Sequence, residues 1–167
     1  FFWSLALGAA VIAIGGILDD RYNLRARYQI CFPIIAIAIA IYGGIGIREI
    51  TNPLGGAWAV PLWPFVTFVW LLGMTYTTKL LDGVDGLATG VSAIGALMIA
   101  LLAFSTRYFQ PDVGRLALYF AAALIGFLVW NFHPARIFLG EAGSEFVGFF
   151  LGVLAIISGG KIATTLL

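Results

Sequence analysis

The chain has 167 residues, 62% of them apolar and only 10% charged, with a mean hydropathy of +1.04. A soluble domain usually carries roughly 25% charged residues, so that class is excluded. The net charge of +1 supplies no electrostatic footprint for nucleic acid. The single cysteine, Cys31, rules out an internal disulfide or cysteine metal site. It lies in an apolar run and reads as a small core residue, not a redox centre.

Apolar runs recur at about the 15 to 20 residues that a membrane helix needs. In chain order they give six spans, roughly 1–18, 29–47, 63–79, 87–105, 115–131 and 144–158. Gly159-Gly160 then interrupts the pattern, and Lys161 opens a truncated seventh helix. The first run has no basic start and leads into Asp19-Asp20 without an A-x-A-like site, unlike a signal peptide. Between the second and third spans, "REITNPLGGAWAVPLWP" combines β-formers with Pro and Gly and predicts a short hairpin around Asn52 to Gly56. The expected fold is all-α: a polytopic membrane helix bundle, one integral-membrane domain over 1–167, read as an internal piece of a longer protein.

Successive spans alternate direction, so the loops after the first, third and fifth share one membrane face. Those loops hold Asp19, Asp20, Asp82, Asp85, Glu141 and Glu145, six of the eight acidic residues. Glu49 and Asp112 fall opposite. Arg21, Arg25, Arg27, Lys79 and Arg136 lie on the acidic face, against Arg48, Arg107, Arg115 and Lys161. The bias of basic residues weakly favours a cytoplasmic acidic face.

Three stretches carry the chemistry. In "GILDDRYNLRARYQ", Asp19 and Asp20 end a helix, where negative charge opposes the macrodipole and calls for something cationic to offset it. The arginines that follow read equally well as partners of anionic lipid. In "KLLDGVDGLATG", Asp82 and Asp85 stand at i, i+3 and Gly83 and Gly86 open the backbone to a ligand; Gly86 and Gly90 could alternatively be a helix-packing pair, a reading accepted for Gly90. In "NFHPARIFLGEAGSEFVG", Arg136 offers a phosphate partner, Ser144 is placed to cap the next helix, and Glu145 reads as a first-turn residue complementing the dipole. His133 reads as a satisfied loop histidine, not a ligand. Grouped carboxylates call for a cation, and Mg²⁺ binds through one or two carboxylates plus substrate phosphates, which points to phosphoryl transfer.

Together, "GILDD", "KLLDGVDGLATGVS" and "NFHPARIFLGEAGS" resemble the polyprenyl-phosphate N-acetylhexosamine-1-phosphate transferases. That family includes phospho-MurNAc-pentapeptide translocase, and "NPLGG" with "PLWPFVTFVWLLGMT" looks closer to the branch that initiates with GlcNAc-1-phosphate. The resemblance implies transfer of a sugar-1-phosphate from a UDP-N-acetylhexosamine to a polyprenyl phosphate, releasing UMP. It implies Mg²⁺, with Mn²⁺ as a substitute, at the cytoplasmic face of the plasma membrane, and leaves room for a homodimer. By position, Asp19 and Asp20 match the pair implicated in activating the lipid phosphate and arranging the metal, and Asp82 and Asp85 match the D-G-x-D-G catalytic motif with Gly86. Phe138 matches an aromatic that stacks on uracil, and Arg136 a basic residue beside the phosphates.

Lys79 stands where the family usually has asparagine, a metal or substrate contact, and Glu141 where it has a metal-binding aspartate; the family's histidine-rich motif is expected nearer the C-terminus, beyond these residues. Two expectations follow: Lys79 and Glu141 pair and alter the metal coordination, or Mg²⁺ is retained by Asp20 and Glu141. Other classes fit less well. CDP-alcohol phosphotransferases need an Ala-Arg pair after the second D-G, intramembrane aspartyl proteases need a G-x-G-D setting, and an ion-coupled transporter predicts carboxylates near mid-span.

Overall fold

A computed structural model describes residues 2–51, 57–105 and 109–165. The elements are α1 (Phe2–Tyr22), α2 (Ala26–Gln29), α3 (Cys31–Tyr42), β1 (Glu49–Thr51), β2 (Ala57–Ala59), α4 (Trp63–Leu81), α5 (Leu87–Phe104), α6 (Pro111–Asn131) and α7 (Gly140–Thr165). Among the described residues, α1, α5, α6 and the Gly140–Gly159 part of α7 are long and apolar enough to cross a membrane. The protein is an all-α membrane helix bundle. The strands β1 and β2 pair antiparallel, with Ile50 opposite Trp58, and form the expected hairpin. Its turn, Asn52 to Gly56, lies outside the described residues.

Several boundaries differ from the sequence expectation. The second span is shorter: α3 ends at Tyr42, where Gly43-Gly44 turn the chain and the N–H of Ile45 reaches the carbonyl of Ala40 at 3.0 Å. The fifth begins earlier, at Pro111, whose missing N–H costs nothing in a first turn. The sixth starts at Gly140 and runs through Gly159-Gly160 to Thr165, so Lys161 opens no separate helix. Each glycine costs a helix only about 1 kcal/mol, whereas a break in apolar surroundings strands several backbone groups.

Helix α7 is the central element. On one side Val147, Leu151 and Leu154 pack with Ala93, Ala96 and Ala100 of α5 and Ala117, Ala121 and Leu124 of α6. On the other, Phe149 and Val153 pack with Ile12 of α1, Ala36 and Ile37 of α3 and Leu71 of α4. Alanines dominate the first seam, because helices in lipid associate through close van der Waals contact. Two glycines make the approach to α7 closest. A Cβ on Gly16 would collide with the backbone of Ala142, and one on Gly148 would lie 2.5 Å from the carbonyl oxygen of Met74. Gly90, expected to pack, has nothing within 4 Å of where its Cβ would be. The buried hydroxyls of Thr67, Thr75 and Thr78 each donate to the carbonyl four residues back, so α4 carries them without stranding a polar group. Cys31 is exposed, not in the core, because it starts α3 directly after α2, which buries none of its residues; its thiol donates to the carbonyl of Arg27 four residues back at 3.4 Å.

Candidate active site

The close packing of α7 against α1 and α4 brings the three acidic segments together at one end of the bundle. Asp20, in the last turn of α1, accepts the backbone N–H of Glu141 at 3.0 Å and that of Ala142 at 3.4 Å. The positive end of α7 therefore offsets part of its charge. Asp19 is buried, and its oxygens take the N–H of Leu24 at 2.9 Å and the side-chain amide of Gln29, which folds the chain back into α2. Ser144 does not cap α7. It lies one turn inside the helix, where its hydroxyl donates to the carbonyl of Gly140 at 2.7 Å, and Asp20 satisfies the helix start instead.

Lys79, in the last turn of α4, is the centre of the site. Its Nζ is in ion-pair contact with Glu141 and donates to Oε1 of Glu145 at 3.0 Å. The Glu145 side chain is only 2% exposed and that of Lys79 18% exposed. The expected Lys79–Glu141 pair is present. Glu145 is the residue that sequence reasoning missed: its partner lies 66 positions away. Tyr76 completes the wall, with Nζ of Lys79 5.6 Å from its ring centre.

Asp82 closes the end of α4. Its carboxyl is held above the usual aspartate range by burial and by the charge of Glu141, opposed by the N–H of Gly140. Asp85 is set differently. It accepts the N–H of Ala135 at 3.1 Å and contacts Nδ1 of His133 at 3.0 Å. These two bonds, the Ala135 N–H first, hold its carboxyl below the ordinary range. His133 thus serves as the partner of Asp85 on the loop leading to α7. Gly86 begins α5 with a left-handed φ of +70° that other residues adopt reluctantly.

The 132–139 loop is anchored by a second pair that sequence reasoning missed. The hydroxyl of Thr89 donates to Oδ1 of Asn131 at 2.8 Å, and the Asn131 amide donates to the carbonyl of Ile137 at 2.9 Å. Arg136 is exposed and lies over the ring of Trp130 at 5.7 Å. With His133, Phe132 and Pro134 these residues line an open cleft of about 340 Å³. Phe138 is exposed on the same loop.

These donors do not form a divalent-cation site as arranged. Among the described residues no three acidic, histidine or cysteine side chains come together to hold a metal. The oxygens of Asp20 are engaged by the start of α7, and Glu141 is neutralised by Lys79. A dication about 4 Å from the Lys79 ammonium would meet a repulsion of roughly 8 kcal/mol at an effective dielectric near 20.

Residues 2–159 match the model of a family described as glycosyl transferase family 4. A protein of Bacillus subtilis (strain 168), "Probable undecaprenyl-phosphate N-acetylglucosaminyl 1-phosphate transferase", is 36% identical over 160 residues, covering 92% of this chain and 43% of the relative. The "Decaprenyl-phosphate N-acetylglucosaminephosphotransferase" of Mycolicibacterium smegmatis is 31% identical, over 98% of this chain and 44% of the relative. A "Phospho-N-acetylmuramoyl-pentapeptide-transferase" of Clostridium botulinum (strain Eklund 17B / Type B) is 36% identical, over 89% of this chain and 49% of the relative. The chain thus spans under half the length of these relatives.

Proposed function

The chain belongs to glycosyl transferase family 4, and from that premise we propose that the whole protein transfers an N-acetylhexosamine-1-phosphate from a UDP-sugar to a polyprenyl phosphate. The observation that carries the reading is the meeting of Asp20, Lys79, Glu141 and Glu145, from three separate helices, at one end of a membrane bundle. Carboxylates of an ion-coupled pathway would lie near mid-span; these lie at helix ends.

In the reaction, an oxygen of the lipid phosphate attacks the sugar-bearing phosphorus of the UDP-sugar. A new P–O bond forms, the bond to the other phosphate breaks, and UMP leaves with the electron pair. A phosphate monoester loses its second proton at a pKa of about 6, and an aspartate raised by burial is suited to accept it. Asp82 is that base. Asp85, through Ala135 and His133, ties the α4–α5 bend to the 132–139 loop and so fixes Asp82 relative to the donor. Arg136 takes a phosphate of the leaving nucleotide and Phe138 offers its face to the uracil. Asp19 and Asp20 shape the entry of the lipid phosphate beside α1. Gly86 lets the phosphates approach the start of α5.

The acidic end faces the cytoplasm of the plasma membrane, in line with five of the nine basic residues on that side. Of the donors, UDP-GlcNAc fits the first two relatives' names and UDP-MurNAc-pentapeptide the third. Exchange of labelled UMP into each donor, in membranes carrying the full-length protein, distinguishes them. Exchange into no common UDP-N-acetylhexosamine and not into UDP-MurNAc-pentapeptide would overturn the transferase reading.

A further inference from the structure

We propose that the Lys79 ammonium, clasped between Glu141 and Glu145, is a built-in cation that takes the place of a divalent metal ion in this site. The inference rests on the transferase reading. Lysine is a compact point charge with three N–H bonds. Two are committed to glutamates on α7, which leaves one to reach a phosphate oxygen on the open side.

The position is built, not incidental. Lys79 comes from the last turn of α4 and the glutamates from the first turns of α7, and Gly148 sets these helices at backbone contact. Glu145 has almost no exposure, so its charge has been taken out of water to meet this ammonium. A surface ion pair would not be assembled this way, because exposed pairs contribute little. The result places one fixed ammonium among the carboxylates, and its remaining N–H is free to donate to the phosphate oxygen that gains charge as the P–O bond to UMP breaks. No proton leaves Lys79 in that role. A divalent ion at the same point would have to expel the ammonium or sit against it.

The test uses full-length protein in detergent or nanodiscs, with Mn²⁺ alone as the paramagnetic probe. Wild-type UMP exchange should survive EDTA within about threefold of its rate in Mg²⁺, well short of the losses that metal removal or altered second shells bring. Lys79→Asn should bind Mn²⁺ roughly tenfold more tightly than wild type, the low end of what neighbouring groups do to metal affinity, and its exchange should become dependent on added Mg²⁺. Lys79→Arg, which keeps the charge, should retain weak Mn²⁺ binding, and it provides the comparison with wild type if Lys79→Asn does not fold. Loss of wild-type exchange in EDTA overturns the proposal. So does equal Mn²⁺ affinity in wild type and Lys79→Asn, or tight binding by wild type and Lys79→Arg. If no donor exchanges under any condition the transferase reading fails, and the Mn²⁺ titration alone decides whether the ammonium holds the metal's place.

Discussion

Asp20 Oδ1 accepts the backbone N–H of Glu141 at 3.0 Å, so the last turn of one helix caps the first turn of another 121 residues away. A capping role and a chemical role for this carboxylate separate cleanly. Asparagine caps a helix about as well as aspartate, whereas replacing a cap by alanine costs about 1 kcal/mol. Asp20→Asn keeps an acceptor for the Glu141 N–H but not for that of Ala142, so it is expected to lower the thermal stability of the full-length protein less than Asp20→Ala does. If Asp20 also acts on the lipid phosphate, both variants lose exchange activity. Full activity in Asp20→Asn would leave Asp20 with the cap alone.

Removing the ammonium should hurt more than removing either of its partners. Lys79→Met leaves Glu145 charged, buried and next to Glu141. Unpairing a buried charge costs about 3–5 kcal/mol, and the remaining water contact of this site favours the lower end. Glu145→Gln keeps an acceptor for Lys79, whose charge stays paired with Glu141, so its loss should be smaller. Thermal unfolding of the two variants checks the order; a larger loss in Glu145→Gln would show that Lys79 does not stabilise the cluster.

The helices were legible because an unbroken apolar run of membrane length leaves the chain few alternatives, and the convergence of the acidic loops followed from counting crossings. What was not legible depends on distant partners. Glu145 looks like an ordinary first-turn acid until Lys79 is placed beside it. Helix α7 starts four residues before the sequence suggests because its cap comes from Asp20, not from Ser144 nearby. His133 looks like a bland loop residue in the sequence, since nothing local shows that Asp85 reaches it. Gly90 looked like a packing glycine by spacing, yet the close approaches belong to Gly16 and Gly148, which only the neighbours of α7 reveal.

Asp85 predicts a pH dependence of stability whose sign follows from its partners. Its carboxyl titrates below the ordinary aspartate value, near 3.9 in an unfolded chain, because the Ala135 N–H and the His133 ring favour the charged form. The stabilisation is then fully present above that unfolded value and is lost as pH falls through the lower folded one. Asp85→Asn resembles the protonated state. On acidification from about pH 5, the difference in Tm between wild type and Asp85→Asn should shrink, most steeply below about pH 4. A difference that grows on acidification would mean that the bonds to Ala135 and His133 do not favour the carboxylate.

Gly148 links the bundle to the site most directly. A Cβ there would lie 2.5 Å from the Met74 carbonyl oxygen and 2.7 Å from both Cα of Thr75 and Oγ1 of Thr78. Two of these are backbone atoms of α4, so the clash cannot be relieved by a side-chain rotation. Gly148→Ala should cost about 1–3 kcal/mol as an overpacked core position, by forcing α7 away from α4. The same displacement stretches the Glu145–Lys79 bond, so exchange activity should fall even at temperatures where the variant is folded. Gly126 of α6 supplies the control: nothing lies within 4 Å of its would-be Cβ. Gly126→Ala gains helix propensity and should be neutral or stabilising by up to about 1 kcal/mol. Equal thermal shifts in the two variants would show that the α4–α7 contact is looser than the backbone distances require.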